Sequence, residues 1–207
     1  MAAAKIAVNA FSYSGQSCIS IQRVFADRAI YDRLAERIVP AVEALRVGDP
    51  GAEDTDVGPV IDIANRDRIL EWIEESGGEV LTGGAVSADG VIAPTVLGEP
   101  DPRARVQREE VFGPVCTLTA TDSAAQALEL ANATDLGLQA SIFTADYRLA
   151  LRAARELDFG AVLVNEAPTF RTDQMPYGGV KDSGNTKEGP HYAVREMTEE
   201  RLVVIQP

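Results

Sequence analysis

Apolar and polar positions follow two different periods along the chain, and segments of the two kinds alternate. Apolar side chains recur with helical spacing in four segments, Ile30–Leu45, Asn65–Ser76, Asp122–Asn132 and Tyr147–Leu157. Short apolar runs rich in β-branched residues predict strands at Ile21–Phe25, Glu79–Thr82, Val91–Leu97, Val115–Ala120, Ala140–Phe143, Ala161–Val164 and Arg201–Ile205. Because helices that alternate with strands are typical of a parallel sheet covered on both faces, we predict an α/β fold with three α/β/α layers around a mostly parallel, open sheet.

Turn-forming residues lie between these segments, where one element should end and the next begin. Gly77-Gly78 follows the second helical segment, and Asp122 or Ser123 can cap the third. The stretch from 47 to 61 is rich in glycine, proline and acidic residues, which indicates a loop. No linker divides the chain, so we predict a single domain.

The charge balance narrows the classes of partner. The 207 residues include 19 basic and 32 acidic side chains, a formal net charge of −13. Binding to nucleic acid or to anionic lipid needs a positive face, so we expect neither as a main partner. No apolar run reaches the roughly 18 residues of a membrane-spanning helix, and the apolar N-terminal stretch lacks the clear cleavage site of a secretory signal.

The two cysteines and the single histidine limit the redox and metal chemistry. Cys18 and Cys116 do not make a disulfide scaffold, so a cytoplasmic location is the default expectation. Cys116 lies in the apolar run Val115–Leu118, which favours a place in the core. With His191 as the one histidine, a zinc site would need carboxylates at almost every position, and we expect no metal. His191 itself is expected to be structural or to face solvent.

The segment Ser14-Gly15-Gln16-Ser17-Cys18 contains the first residue that could carry chemistry. Glycine allows a tight turn, and a cysteine just after such a turn can lie at a helix N-terminus, where free N–H groups and the dipole favour the thiolate. The alternative is a buried free cysteine that packs as a small hydrophobic side chain. No histidine lies nearby to act as its base, which argues against a cysteine protease.

Three further segments leave functional and structural interpretations open. The adjacent carboxylates in Arg108–Pro114 could bind ribose hydroxyls or form a solvated rim. The glycines and lysine in Pro176–Gly184 could hold an anion in a backbone nest or make a tight turn, and neither the Walker spacing nor G-x-G-x-x-G is present. The acidic loop Asp49–Asp56 lacks the spacing of a calcium loop and is expected to be solvated.

Taken together and in this order, the motifs resemble those of the aldehyde dehydrogenase superfamily. The matching stretches are GQSC with Arg23 five residues after the cysteine, VGDP…TDVGP, APTVL, EEVFGPV, GLQASIFT, GAVLVN and PYGGVKDSG. The GQ-x-C context and EEVFGPV are specific for this family, and the occurrence of all the motifs in this order is more specific than either motif alone. The resemblance covers essentially the whole chain. It implies a catalytic domain over residues 1–200 and a C-terminal strand over 201–207 that builds a homo-oligomer by sheet extension.

The resemblance also implies the roles of single residues in the chemistry. Cys18 matches the family's catalytic nucleophile. Glu110 and Phe112 match the residues that contact the nicotinamide ribose and the nicotinamide ring of the cofactor, NAD or NADP. The positions that match the lining of the aldehyde tunnel are Ser17, Ile19 and Tyr177. The positions expected to be structural near the site are Gly15, Gln16 and Asn165.

The implied mechanism begins with a thiolate that attacks the aldehyde carbon and gives a thiohemiacetal oxyanion, which the backbone N–H of Cys18 helps to stabilise. Hydride transfer to NAD(P)+ then leaves a thioester, which an activated water hydrolyses to the acid. Family members are normally more than twice this long. Their cofactor-binding domain, general-base glutamate and oxyanion-hole asparagine precede the thiol, and none of these occurs in the 17 residues before Cys18. We therefore expect the catalytic domain alone, with the cofactor-binding domain absent and turnover incomplete.

Arg171, six residues before Tyr177, bears on the substrate. Branches of the family that use anionic aldehydes, such as non-phosphorylating glyceraldehyde-3-phosphate dehydrogenase, have an arginine at a similar position. A guanidinium suits phosphate or carboxylate. The hypothesis is a small aldehyde, with or without an anionic group: lactaldehyde, a semialdehyde, or a phospho- or phosphonoaldehyde. The alternative is that Arg171 points to solvent.

Two other functions stay open from the sequence. One is the coenzyme A-acylating branch, in which coenzyme A takes the acyl group in place of water. The other is a non-catalytic oligomerisation module that pairs through its C-terminal strand with full-length relatives.

Overall fold

A computed structural model describes all residues, 1–207, and its centre is a four-stranded sheet. The order is β1 (Arg23–Asp27), β4 (Val115–Thr121), β3 (Thr95–Gly98) and β2 (Glu79–Thr82). The strands β1, β4 and β3 run parallel, and β2 pairs antiparallel at the edge. The predicted mostly parallel sheet is thereby confirmed for this part of the chain.

Helices cover both faces of this sheet, because successive side chains of a strand point to opposite sides. Val96 and Cys116 pack into the core formed with α1 (Ala2–Asn9) and α2 (Arg28–Glu43). Leu97 and Val115 point to the other face, where the core includes residues of α3 (Ile63–Glu74) and α4 (Arg105–Arg108). This arrangement confirms the three predicted layers.

A second, smaller unit follows in the chain. Its strands β6 (Gln139–Ile142) and β7 (Ala161–Val164) pair in parallel, and α5 (Ala124–Asn132) and α6 (Tyr147–Glu156) pack beside them. Leu128, Ala153 and Leu157 form its core. The remaining elements are the antiparallel pair β5 (Leu136–Gly137) and β8 (Val180–Lys181), and α7 (Pro190–Glu196). The β6–β7 pair is not hydrogen-bonded to the four-stranded sheet, so the sheet is interrupted rather than continuous.

The four helices predicted from spacing are present, and Ser123 is the residue that caps α5, with its Oγ accepting from the Gln126 N–H at 3.2 Å. The strand predicted over Val91–Leu97 begins only at Thr95. Pro94, just before it, has no N–H to donate to a ladder. The helices α1 and α4 were not predicted.

The strand predicted over Arg201–Ile205 is not formed in the single chain. These residues are exposed and have no regular secondary structure. A strand exists only through hydrogen bonds to a neighbour, and no edge of the chain's own sheets pairs with this segment. No helix of the protein combines the length and the hydropathy that a membrane span requires.

Candidate active site

Cys18 lies on a tight turn that connects an unusual backbone segment to β1. Tyr13, Ser14 and Gly15 have positive φ values of 53°, 59° and 69° in succession. The Ser20 N–H then donates to the Ser17 carbonyl at 2.9 Å and closes the turn that presents the exposed Cys18. Of the two possibilities that the sequence left open, neither applies: Cys18 is not at a helix N-terminus, because the chain continues into a strand, and it is not buried. Residues held at positive φ are typical of functional sites.

Neighbouring loops hold this turn in place. A Cβ on Gly15 would lie 2.0 Å from the Gly113 carbonyl oxygen, so the backbones of the two segments touch and only glycine fits. The Ser14 hydroxyl donates to the Gly58 carbonyl at 2.8 Å. The Gln16 side chain accepts from the Ile61 N–H at 2.9 Å. The segments GQSC and EEVFGPV are thus parts of one packed unit.

The sulfur of Cys18 contacts a tyrosine from the far end of the chain. The Tyr177 hydroxyl oxygen lies 2.6 Å from Cys18 Sγ, and the tyrosine is only 8% exposed. The Arg171 guanidinium lies over the Tyr177 ring, 4.2 Å from its centre, and 3.7 Å from the Glu188 carboxylate. The Cys18 N–H has no acceptor among the backbone hydrogen bonds of the chain.

The second cysteine has the opposite environment. Cys116 is 1% exposed in the core between the sheet and α2, as its sequence context predicted. Burial raises the pKa of its thiol to about 12. Near neutral pH it is a protonated core residue, whereas Cys18 is open to reagents.

A groove of about 620 Å³ extends from the Cys18 turn between β1 and β6. Ser17 and Ile19, on either side of the thiol, line it. Glu110 and Phe112 also line it: the Phe112 ring is 45% exposed, and burial raises the pKa of the Glu110 carboxyl. The structure thus brings the proposed nucleophile and both proposed cofactor contacts to one groove.

Gln22 holds the segment that carries Glu110, and sequence reasoning missed it. Its side-chain amide donates to the carbonyls of Val106 and Glu109, at 3.0 and 2.7 Å, and its oxygen accepts from the Val111 N–H at 2.9 Å. The only signal in the sequence is a polar residue directly before an apolar strand, close to Cys18. Glu188, beside Arg171 and Tyr177, was also missed and carries no such signal.

Five sequence candidates are not among the residues that line the groove: Gln16, Asn165, Arg171, Tyr177 and Lys181. Asn165, at the end of β7, uses its side chain to accept from the Thr144 N–H and to donate to the Thr144 carbonyl, at 2.9 and 3.0 Å. This contact ties together the ends of β6 and β7. Lys181 donates to the carbonyls of Asn132 and Thr134, both at 3.1 Å. The lysine of the Pro176–Gly184 segment is thus engaged with backbone carbonyls outside that segment.

Comparison with known proteins gives one consistent relationship. The sequence model of the aldehyde dehydrogenase family matches residues 1–203. A 3-sulfolactaldehyde dehydrogenase of Priestia aryabhattai is 42% identical over 99% of this chain and 43% of its own length. The NADP complex of an NADP-dependent glyceraldehyde-3-phosphate dehydrogenase from Bacillus halodurans superposes with a TM-score of 0.91 at 38% identity, over 97% of this chain and 42% of that one. Aldehyde dehydrogenase 21 of Physcomitrella patens, solved with its reaction product succinate, superposes with a TM-score of 0.90 at 38% identity, over 96% of this chain and 42% of that one.

Proposed function

Since this chain belongs to the aldehyde dehydrogenase family, we propose that it carries the nucleophilic part of an aldehyde oxidation, with Cys18 as the attacking residue. The observation that carries the proposal is the placement of Cys18: an exposed thiol on a fixed turn, at one end of a groove that Glu110 and Phe112 also line. A nucleophile held in one geometry lowers the entropic cost of attack.

The first chemical step uses groups of this chain alone. The Cys18 thiolate donates an electron pair to the carbonyl carbon, a C–S bond forms, and the π electrons of the carbonyl move to its oxygen. The resulting oxyanion needs a hydrogen-bond donor. The Cys18 N–H is free to supply one, because no acceptor within the chain occupies it.

We propose NAD or NADP as the cofactor, and the groove residues fit such a group. Phe112 offers an exposed flat face to the planar ring, and Glu110 offers a carboxylate to ribose hydroxyls. When bound, the nicotinamide would accept the hydride. Gln22 fixes the backbone on either side of Glu110 and so orients both contacts. NADP in the Bacillus halodurans relative supports this choice.

The chain spans about 43% of the length of the curated relative from Priestia aryabhattai. We propose that complete turnover needs the remaining part as well, and that this part seats against the groove. The proposal is supported by the lining of the groove, in which 24 of 42 residues are hydrophobic. The groove lies between two sheets that are not hydrogen-bonded to each other.

For the substrate we propose a small aldehyde that bears an anionic group. Arg171 stacks on the ring of Tyr177 and Cys18 contacts its hydroxyl, so both groups lie next to the same side chain, and we propose that a short molecule at the thiol extends toward the guanidinium. The three relatives support this class. Sulfolactaldehyde, glyceraldehyde 3-phosphate and the product succinate, from their names, carry a sulfonate, a phosphate and a second carboxylate.

We also propose that residues 201–207 pair as a strand with a second copy of the chain. Leu202, Val203, Val204 and Ile205 are between 68% and 88% exposed. Four consecutive exposed apolar residues outside any sheet suit the addition of a strand to a sheet edge.

The central experiment is alkylation of the chain with iodoacetamide, followed by peptide mass spectrometry. Cys18 should be modified and Cys116 should not, and a four-carbon aldehyde should protect Cys18 by forming the thiohemiacetal. The variant Cys18→Ser should take up no label. If Cys18 stays unmodified in the folded chain, or if no aldehyde protects it, the proposal is wrong.

A further inference from the structure

We propose that the Tyr177 hydroxyl donates a hydrogen bond to the Cys18 thiolate and so positions the sulfur for attack, an inference that rests on the proposed role of Cys18. Tyr177 is then a positioning residue, which acts through the nucleophile. The family resemblance implies only an aromatic lining at this place, a role that needs no hydroxyl.

The Tyr177 hydroxyl and the Cys18 sulfur are in direct contact, and either atom could be the donor of a hydrogen bond between them. Tyr177 Oη and Cys18 Sγ are 2.6 Å apart, although the two residues are 159 positions apart in the sequence. The tyrosine is buried while the cysteine is exposed, so the contact lies at the boundary between the protein interior and the surface. A donor at this boundary can fix one face of the sulfur and leave the other free for the aldehyde.

The protonation state of the phenol supports its role as donor. Burial is the main reason why the pKa of Tyr177 is raised above its ordinary value, and the hydrogen bond with Cys18 and the nearby Glu188 carboxylate raise it further. Arg171 opposes these effects. The phenol therefore keeps its proton at neutral pH and can give a hydrogen bond to an anion.

The surrounding loop holds the tyrosine in place. Tyr177 and Glu188 exchange backbone hydrogen bonds of 3.3 and 2.6 Å. A Cβ on Gly178 would lie 2.1 Å from the Thr186 carbonyl oxygen, so the two sides of this loop are in direct contact. The Arg171 guanidinium covers the ring from one side. A hydroxyl held from several directions costs little entropy when it binds the thiolate.

The opposite direction of the bond gives the opposite prediction. If the thiol donated to the phenol oxygen, the contact would stabilise the neutral thiol, and removal of the hydroxyl would favour the thiolate. If the phenol donates, removal of the hydroxyl disfavours the thiolate. The pH dependence of Cys18 reactivity distinguishes the two cases.

The test is Tyr177→Phe, which deletes one oxygen atom and keeps the ring. The rate of Cys18 alkylation by iodoacetamide is measured from pH 6 to 10, with Tyr147→Phe, an exposed tyrosine on α6, as the matched control. In Tyr177→Phe the profile should move to higher pH. The rate at pH 7 should fall about tenfold, the size expected for a hydrogen bond to a charged group, while the rate at high pH stays as in the parent chain. Tyr147→Phe should match the parent chain throughout.

An unchanged profile in Tyr177→Phe, or one moved to lower pH, would overturn the proposal. Lack of alkylation at Cys116 checks that each variant is folded. Failure of the proposed function looks different, because Cys18 of the parent chain would then resist alkylation or gain no protection from aldehydes. A reactive, protected Cys18 whose profile ignores Tyr177 would contradict only the present inference.

Discussion

Arg171 has two partners inside the protein, the Tyr177 ring and the Glu188 carboxylate, and the strength of these contacts bears on its proposed role in binding a substrate. Its guanidinium stacks on Tyr177 and lies 3.7 Å from Glu188, with the Arg171 and Glu188 side chains 38% and 67% exposed. Ion pairs this exposed contribute about 1 kcal/mol or less. The anionic substrate proposed above would therefore displace Glu188 at small cost, while the stack on the ring would keep the guanidinium oriented.

The substitution Arg171→Ala should weaken the response to anionic aldehydes alone. Succinate semialdehyde and butanal have the same carbon number and differ in charge, so each is titrated for protection of Cys18 against iodoacetamide. We expect the half-protecting concentration of succinate semialdehyde to rise about tenfold, the size expected for one lost charge-assisted contact, and that of butanal to stay the same. Arg171→Lys should be intermediate, because it keeps the charge and loses the planar fork. An equal rise for both aldehydes would show that Arg171 does not recognise the anion.

At the scale of elements, local spacing predicted most of the fold, and long-range contacts account for what it missed. The helices α2, α3, α5 and α6 follow from the 3.6-residue period, which is a local property. The contact of Gly15 with Gly113 and the hydrogen bond of Cys18 with Tyr177 join residues far apart in sequence. No local pattern encodes such pairs, so only the family resemblance brought the motifs together.

The interruption of the sheet was also missed because strand pairing is a long-range property that no local pattern encodes. The strands β1 and β6 were each predicted from a short local run of residues, and the sequence says nothing about whether the two become neighbours. The pattern therefore predicted one open sheet, whereas hydrogen bonding divides it. The apolar C-terminal segment likewise has the composition of a strand, and it pairs with no strand of the single chain.

The variant Val203→Asp should reduce association between copies of the chain. Val203 is at the centre of the exposed apolar segment, and a charge there opposes burial against a second sheet. Val194→Asp, at an exposed apolar position on α7, is the matched control. Mass measured by light scattering should fall for Val203→Asp and stay unchanged for Val194→Asp. Equal masses for the parent chain and both variants would exclude the segment as an interface.

For the molecule as a whole, the groove is a departure from a closed core. The edges of β1 and β6 both line it, and neither is paired to the other. Apolar lining and free strand edges are both costs that a covering segment would relieve.

The groove should therefore bind an apolar fluorescent dye, and the remaining part of a relative should displace that dye. We would co-express the chain with the part of the Priestia aryabhattai enzyme that it does not span, and follow dye fluorescence together with the absorbance of reduced nicotinamide in the presence of succinate semialdehyde. Both a fall in dye binding and the onset of turnover are expected, because one segment covers the groove and completes the site.

The location of the contact is tested at Ile30, which lines the groove and is 39% exposed. Ile30→Asp should weaken dye binding and complementation, whereas Val194→Asp, which replaces an exposed apolar residue outside the groove, should not. Steady turnover by the chain alone, or complementation that ignores Ile30→Asp, would contradict this account, since the groove would then have no part in completing the enzyme.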